Sequence, residues 1–221
     1  MNKIVKNYSH LIWDWNGTLL NDVELCAGIM NMLLTQESLP NISIQKYKSI
    51  FTFPVIDYYK IAGHTFEKTS FEVLGKQFMD EYELQKNNCK LFPGVPELLA
   101  ELQSKNIQQH LLSAYEQNNL NNILKHFSIN NYFQHIVGLD NIYAGGKSHL
   151  AQDLAMRIRS NGAAGNILLI GDTIHDYEVA EEINSDCILV SHGHQDEERL
   201  LRLGIPVAKN INELRIILRE L

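Results

Sequence analysis

Four short apolar runs, separated by patterns typical of amphipathic helices, constrain the fold of this chain more than any other feature. Runs of this length without polar alternation are typical of strands buried on both faces, as in a parallel sheet covered by helices. We therefore predict a doubly wound, Rossmann-like parallel sheet of the α/β class. The predicted strands are 10–14, 107–113, 166–171 and 186–191, with shorter runs at 135–138 and 205–208, and the predicted helices are about 95–105, 116–126, 147–160, 174–184 and 211–220.

The stretch from about 21 to 90 departs from this rhythm, because it has no strong strand pattern. Its helical patterns cover about 22–37, 43–50, 55–62 and 66–86. The rigid-then-flexible pair Pro93-Gly94 follows it. We interpret residues 21–90 as an all-helical cap inserted into an α/β core of residues 1–20 and 91–221. The alternative is that these helices belong to a layer of the α/β core itself.

Composition limits the classes of function. The 221 residues can bury a sizeable core, as one domain with an insertion or as two small domains. The net charge is −7 and no basic cluster stands out, so binding to nucleic acid or to an anionic membrane has little electrostatic support.

The cysteines and the first residues bear on the compartment. The three cysteines are widely spaced and form neither a metal-binding pair nor a disulfide framework, which fits a reducing environment. No apolar leader precedes the first strand, and no apolar run approaches the length of a membrane span. We expect a cytoplasmic protein.

Two aspartates follow predicted strands at opposite ends of the chain. Asp14 ends the first strand and leads into Asn16-Gly17-Thr18, and Asp172 follows the strand over 166–171. The carboxyl ends of parallel strands meet at one edge of a sheet, where ligands bind in open α/β folds. Two carboxylates that meet there repel each other unless a cation lies between them, and oxygen ligands favour Mg²⁺. Asp176, four residues on, can point back to the same place, although Asp172 and Asp176 are also residues that commonly cap a helix.

Two further polar residues lie at predicted element ends. Ser113 ends the strand over 107–113 and could donate its hydroxyl to a phosphoryl oxygen, with backbone amides of the next helix start beside it. The alternative is that Ser113 caps that helix, with Glu116 as its capping-box partner. Lys147 follows two glycines at a helix start, where a cation is unfavourable unless an anion is near, and an exposed surface lysine is the alternative.

These four segments together resemble the haloacid dehalogenase-like superfamily of hydrolases, over nearly the whole chain. Asp14-Trp-Asn16-Gly17-Thr18 resembles its first motif, Ser113 its second, Lys147 its third, and Gly171-Asp172-Thr173-Ile-His-Asp176 its fourth. The segment Phe92-Pro93-Gly94-Val95 resembles the point where the chain re-enters the core after a helical cap in the phosphoglycolate-phosphatase-like branch.

The resemblance implies a mechanism and a set of site residues. Asp14 would attack the phosphorus of a small phosphate monoester and form an aspartyl-phosphate. Mg²⁺ would be held by Asp14, by the backbone carbonyl of Asn16 and by Asp172, with Asp176 assisting. The phosphoryl oxygens would be held by Ser113, Ala114 and Lys147 and by the backbone amides that follow Asp14.

Asn16 departs from the family pattern, in which phosphatases usually carry an aspartate two residues after the nucleophile. An amide can still offer its backbone carbonyl to a metal, but it cannot transfer protons. Loss of a positioned acid–base group typically costs ~10²–10⁴-fold in rate. The chain could therefore act on substrates with good leaving groups, or another group could supply the proton.

Two alternatives to a phosphatase stay open on the sequence. One is a protein that binds phosphate esters, or a regulatory protein, with impaired catalysis. The other is a phosphonate hydrolase that cleaves a carbon–phosphorus bond. The resemblance implies this alternative as well, because the superfamily's phosphonate-cleaving branch also lacks the aspartate two residues after the nucleophile, but that branch needs a lysine from the cap to form a Schiff base. Lys46, Lys48 and Lys60 are candidates for that lysine by location alone.

Overall fold

The computed structural model describes residues 8–140, 147–160 and 166–220, and its centre is a six-stranded parallel sheet. The strand order is β5-β4-β1-β6-β7-β8, with every neighbouring pair parallel. The predicted α/β class and the parallel sheet are confirmed. The strands of the sheet are β1 (Tyr8–Trp13), β4 (Gln108–Glu116), β5 (His135–Leu139), β6 (Asn166–Gly171), β7 (Asp186–Val190) and β8 (Val207–Ala208).

Side chains alternate between two apolar cores, one on each face of the sheet. Leu11 and Trp13 of β1 join the core on one face, and Ile12 between them joins the core on the other. Because both faces are covered by helices, the strands read as continuous apolar runs rather than as an alternating pattern. The helices outside the insertion are α5 (Val95–Ser104), α6 (Gln117–His126), α7 (Ser148–Ser160), α8 (Ile174–Glu182), α9 (Glu197–Leu201) and α10 (Ile211–Glu220).

The stretch between β1 and α5 is helical, as predicted. A two-residue strand, β2 (Leu20–Asn21), pairs antiparallel with β3 (Lys90–Leu91) where the chain leaves and re-enters the α/β part. Between them lie α1 (Val23–Gln36), α2 (Ile44–Ile50), α3 (Val55–Ala62), α4 (Phe71–Gln85) and a short 3₁₀ turn at Lys86–Asn88. Ser43 and Ser70 cap α2 and α4 by accepting hydrogen bonds from backbone amides three residues on, which explains where these helices begin.

None of the described helices is long and apolar enough to cross a membrane. The three cysteines are free thiols.

Candidate active site

The carboxyl ends of β1, β4 and β6 meet at the point where the sheet order reverses. The chain passes from β1 outward through β4 and β5, then returns to β6 on the opposite side of β1. Asp14 follows β1, Ser113 lies on β4, and Asp172 follows β6. Ligands in open α/β sheets bind in the crevice that this reversal creates, so the topology alone places these three residues at one site.

Three carboxylates and one ammonium group form the centre of the site. Oxygen atoms of Asp14, Asp172 and Asp176 lie within 4.8 Å of one another, and all three residues are buried. Lys147 Nζ lies 2.5 Å from Asp14 Oδ1 and 2.5 Å from Asp176 Oδ1. The surface alternative for Lys147 is therefore wrong, because this side chain is buried between two anions. We name these four residues the strand-end cluster.

The three carboxylates of the strand-end cluster carry more negative charge than the single ammonium group of Lys147 neutralises. Burial raises the pKa of Asp14 to about 6, although Lys147 opposes the shift. Burial raises the pKa of Asp172 to about 8, with the charge of His194 opposing the shift and those of Asp14 and Asp176 adding to it. Although burial acts in the opposite direction, the carboxylates of Asp14 and Asp176 together raise the pKa of Lys147 above its usual range. One lysine does not neutralise three carboxylates, so a bound cation would be favoured by the remaining negative charge.

The Asp172 carboxylate is held in a slot between two loops. Thr18 Oγ1 donates to Asp172 Oδ1 at 3.1 Å, and the backbone amide of His194 donates to Asp172 Oδ2 at 2.6 Å. A β-carbon at Gly17 or at Gly193 would collide with this carboxylate. Gly17 also has a positive φ of 71°, which glycine adopts without strain. Glycine at position 17 is thus needed both for the turn and for the approach of Asp172.

Asp176 has two roles. Its Oδ2 accepts hydrogen bonds from the amide of Thr173 at 2.9 Å and from the amide of Asp172 at 3.1 Å, and Thr173 and Asp176 form the capping box of α8. Its Oδ1 faces Lys147. The capping alternative is therefore correct for Asp176 without removing it from the site, whereas the residue that caps α8 is Thr173 and not Asp172.

Ser113 does not cap a helix, so that alternative is wrong. Strand β4 continues to Glu116, and Glu116 itself caps α6 by accepting from the amides of Asn118 and Asn119. The buried Ser113 hydroxyl accepts a hydrogen bond from the amide of Tyr115 at 3.1 Å. Ser113 and Ala114 both line the cavity that contains Asp14.

A second buried carboxylate lies beside the strand-end cluster, and the sequence analysis missed it. Asp22, just before α1, accepts hydrogen bonds from Asn16 Nδ2 at 2.7 Å, from the Gly17 amide at 3.0 Å and from Tyr82 Oη at 2.9 Å. Asn16 and Tyr82 bind Asp22 Oδ2, whereas His194 Nε2 lies 3.3 Å from Asp22 Oδ1, the oxygen that also accepts from Gly17. We name Asp22, Asn16, Tyr82 and His194 the Asp22 cluster.

The Asp22 cluster balances its charge internally. Although burial acts in the opposite direction, the pairing with His194 and the hydrogen bonds from Asn16 and Tyr82 lower the pKa of Asp22 below its usual range. Although burial lowers the pKa of His194, the pairing with Asp22 outweighs it, and the pKa is raised. Each of these polar neighbours donates to the carboxylate of Asp22, and this carboxylate is ionised.

Two sets of residues could hold a metal ion within the described chain. The oxygen-only set Asp14, Asp172 and Asp176 suits a hard cation such as Mg²⁺. The excess negative charge and the raised carboxyl pKa values fit that ion, so the residues predicted to hold it are suitable. The mixed set Asp22, Cys26 and His194 also converges, but there the carboxylate already receives hydrogen bonds from its neighbours.

The cavity above both clusters has a volume of about 190 Å³ and an aromatic wall. Asp14, Ser113, Lys147 and Asp172 line one part of it. The helical insertion supplies most of the rest, and none of its lysines is among the lining residues. Aromatic residues of this wall include Tyr47, Phe51, Phe53, Tyr58, Phe78 and Tyr82.

The lysines proposed for a phosphonate hydrolase lie elsewhere. Lys46 is exposed, and Lys60 pairs with Asp57 on the surface. Lys48 Nζ donates to the carbonyl of His192 at 2.9 Å. None of the three lines the cavity, so the described residues give no support to a Schiff-base reaction there.

Comparison with known proteins gives a consistent family. A family model described as "Haloacid dehalogenase-like hydrolase" matches residues 11–190, more than half of the chain. A phosphoglycolate phosphatase from Caulobacter vibrioides is 23% identical over 198 residues, which cover 86% of this chain and 82% of that protein. A 5'-nucleotidase from Pseudomonas aeruginosa is 22% identical and covers 87% of both chains.

A solved structure shows the same fold. The crystal structure described as a predicted phosphatase from Clostridium acetobutylicum superposes with a TM-score of 0.77 at 20% identity, covering 98% of this chain and 100% of that one. At this identity the likeness concerns the fold alone.

Proposed function

Because the chain belongs to the haloacid dehalogenase-like hydrolase family, we propose that this phosphoric monoester hydrolase uses Asp14 as nucleophile and Mg²⁺ as cofactor, with a small phosphorylated metabolite as substrate. The observation that carries the proposal is the convergence of Asp14, Asp172, Asp176 and Lys147 at the sheet reversal. A carboxylate in such a crevice can attack phosphorus. The neighbouring lysine and cation site reduce its repulsion of a negatively charged substrate.

Each residue of the strand-end cluster has a proposed role. Asp14 attacks the phosphorus and accepts the phosphoryl group, and Lys147 offsets negative charge on the phosphoryl oxygens and keeps Asp14 oriented. The Ser113 hydroxyl and the Ala114 amide donate to the same oxygens. Asp14, the Asn16 carbonyl and Asp172 would hold Mg²⁺, with Asp176 assisting. The bound cation would offset the charge of the carboxylates and of the phosphoryl group.

The helical insertion is proposed as a cap over this site. Its aromatic side chains line the cavity opposite the strand ends, and its lysines do not. We place the boundaries of the cap at residues 21–90 and those of the core at 1–20 and 91–221, of which 1–7, 141–146, 161–165 and 221 lie outside the described residues. A cap of this kind would exclude water and contact the part of the substrate that leaves.

An acid-quench experiment tests the mechanism. The protein is mixed with Mg²⁺ and acetyl phosphate, quenched in acid, digested and analysed by mass spectrometry. We expect a phosphoryl group on Asp14, release of inorganic phosphate over time, and loss of both in excess chelator. Asp80→Asn, which removes an exposed carboxylate on α4, is the control and should behave as wild type. A phosphoryl group on another residue, or full activity in chelator, would contradict the proposal.

One observation favours the second candidate, a phosphate-ester-binding protein. Both hydrogens of the Asn16 amide are donated, one to Asp22 and one to Tyr82, so no proton reaches a leaving group from position 16. Tight binding of phosphate esters with Mg²⁺, without any phosphoryl-Asp14 and without phosphate release, would favour this function over the first.

A further inference from the structure

We infer that the substrates of this site are phosphate monoesters of neutral aromatic alcohols of phenol type, whose leaving group departs without a donated proton. The inference rests on the proposed function and specifies the substrate class of the same site. Three independent properties of the cavity point to it: an aromatic wall, the lack of a second cation, and an amide locked where an acid would be needed.

The wall opposite Asp14 is suited to a flat, apolar group. Helices α2, α3 and α4 and the segments between them supply Tyr47, Phe51, Phe53, Tyr58 and Phe78 to this wall. Phe51 packs at ring-centroid distances of 5.0–5.6 Å against four neighbouring rings, those of Tyr47, Phe53, Tyr58 and His194. Aromatic rings packed in this way present faces and edges on which another ring is stabilised by burial and by offset or edge contacts.

Among the described residues that line the cavity, no cationic side chain is left to pair with a second negative charge, since the histidines His175 and His194 face Glu178 and Asp22. Lys147 is the only lysine or arginine among its described lining residues, and it is already paired with Asp14 and Asp176. The segment 141–146, which lies outside the described residues, contains neither lysine nor arginine. A substrate with a carboxylate or a second phosphate on its leaving group would bury that charge against aromatic rings, which is costly. The leaving group is therefore neutral.

The Asn16 amide excludes leaving groups that need an acid. Asp22 Oδ2 and Tyr82 Oη face the amide nitrogen at 2.7 and 2.6 Å. Because a carboxylate only accepts hydrogen bonds, the atom of Asn16 beside Asp22 must be the nitrogen, so the orientation of the amide is fixed. Alkoxides are strong bases and leave slowly when no acid protonates them, whereas phenolates are much weaker bases.

The chemistry balances without a proton donor. The Asp14 carboxylate forms a bond to phosphorus, and the phosphorus–oxygen bond to the ring oxygen breaks with its electron pair on that oxygen. The products are an aspartyl-phosphate and a phenolate, which takes a proton from solvent. Water then adds to phosphorus and the bond to Asp14 breaks, which regenerates the carboxylate and yields inorganic phosphate, while the second proton of water passes to solvent.

A panel of four phosphate esters and one acyl phosphate separates the three properties. Phenyl phosphate has the ring and a weakly basic leaving group. Benzyl phosphate has the ring but an alkoxide leaving group, and cyclohexyl phosphate has neither a flat ring nor a weak base. Phosphoglycolate carries a carboxylate. Acetyl phosphate has a good leaving group and no ring, so it tests the nucleophile alone.

We expect phenyl phosphate to have the highest kcat/KM. Benzyl phosphate should compete with it for binding while its kcat is lower by ~10²-fold or more, the scale of a missing acid. Acetyl phosphate should be hydrolysed with a high KM, and phosphoglycolate should neither react nor compete. Benzyl phosphate or phosphoglycolate turned over as fast as phenyl phosphate would overturn the inference. If acetyl phosphate alone reacts, and does so through Asp14, the substrate class fails while the proposed function stands. If no compound of the panel reacts, the proposed function fails with it.

Two variants on one helix test the aromatic wall. Phe78 and Leu84 both lie on α4, but Phe78 lines the cavity and Leu84 is 76% exposed. Phe78→Ala should raise KM for phenyl phosphate by ~10-fold and leave KM for acetyl phosphate unchanged, because only the former contacts the wall. Leu84→Ala should change neither. Phe78→Leu serves if the alanine variant is not folded by circular dichroism. An equal rise of KM for both substrates, or none, would contradict binding of a ring at this wall.

Discussion

Two buried carboxylate clusters share the floor of one cavity, and they differ in how their charge is balanced. In the strand-end cluster, burial raises the pKa of Asp14 to about 6 and that of Asp172 to about 8. In the Asp22 cluster, neighbouring donors lower the pKa of the carboxyl although it is fully buried. Depth of burial is therefore not what separates them.

The difference lies in the partners. Asp22 is surrounded by an amide, a backbone N–H, a tyrosine hydroxyl and an imidazole, all of which donate to it. Asp14 and Asp172 face each other and Asp176, with one lysine among them. The hydrogen bonds of the first arrangement satisfy its carboxylate and stabilise the fold, whereas the second keeps excess negative charge, which the proposed Mg²⁺ would offset. Excess negative charge thus distinguishes the strand-end cluster, the candidate active site, from the Asp22 cluster, whose charge is balanced by its neighbours.

The largest expected effect comes from the nucleophile. Asp14→Asn keeps the shape of the side chain but removes the attacking carboxylate, so phosphate release should fall by on the order of 10⁴-fold or more. The fold should persist, because Lys147 stays paired with Asp176. Phosphate release and circular dichroism measure the two effects. Unchanged turnover by a folded variant would reject Asp14 as nucleophile.

The next effect breaks the balanced cluster. Asp22→Ala leaves the His194 ring, the Asn16 amide and the Tyr82 hydroxyl buried without their acceptor, so the free energy of unfolding should fall by roughly 3–5 kcal/mol. Asp172→Asn, in the strand-end cluster, should change it by less than about 1 kcal/mol in metal-free protein, since that carboxyl is largely protonated at neutral pH.

Urea unfolding in chelator measures both values for these variants. Equal losses of stability for Asp22→Ala and Asp172→Asn would show that the two clusters do not differ in the way described.

A swap within the Asp22 cluster tests the role of position 16. Asn16→Asp alone would place a second carboxylate against Asp22, and the two would share a proton instead of donating it to a leaving group. Asn16→Asp combined with Asp22→Asn exchanges amide and carboxylate and keeps a donor opposite an acceptor. We expect this double variant to raise kcat for benzyl phosphate by ~10²-fold, with a much smaller gain for phenyl phosphate.

The comparison with the single variants decides the outcome of the swap. Asn16→Asp alone and Asp22→Asn alone should both fail to accelerate benzyl phosphate. If Asn16→Asp alone gives the full gain, the carboxylate pair does not trap the proton as described.

The smallest effect concerns pH. The folded, metal-free protein holds protons on Asp14 and Asp172 up to pH values of about 6 and about 8, whereas the unfolded chain releases them near pH ~4. The folded state therefore binds more protons across this window, so the metal-free protein loses stability as pH rises from ~4 to ~8. Mg²⁺ competes with the same protons, and its affinity should increase by up to about tenfold per pH unit for each proton released.

Thermal unfolding in chelator and in excess Mg²⁺, at pH 5 and pH 8, measures this linkage. Asp172→Asn is the control, because it should flatten the metal-free slope above pH 6. A stabilisation by Mg²⁺ that is the same at both pH values would mean that these carboxyls do not release protons to the metal.

The sequence predicted the sheet well, because its strands are buried on both faces. All six predicted strands are present, and the ends differ by only a few residues; strand β4 continues to Glu116 instead of ending at Ser113. The five-residue helix α9 and the two-residue strands β2 and β3 were not predicted, since elements this short leave no periodicity to detect.

The site was predicted unevenly for a physical reason. Asp14 and Asp172 follow strands and Ser113 lies near the end of one, and a parallel sheet brings strand ends together whatever the intervening sequence. Asp22 and Tyr82 lie in the insertion and His194 in a loop, so their meeting depends on tertiary packing that no spacing encodes. His194 belongs to a polar segment that the sequence does show, Ser191–Asp196, but its partner could not be identified from the sequence.

The antiparallel pair β2–β3 sets how this chain can vary. Leu20 lies opposite Leu91 and Asn21 opposite Lys90, so the polypeptide leaves the sheet and comes back through two adjacent points. The segment between β2 and β3 can lengthen, shorten or be exchanged without shifting Asp14, Ser113 or Asp172, because these three residues lie outside it. A relative that hydrolyses a different ester needs a new sequence only between β2 and β3, and the residues that carry the chemistry can stay the same.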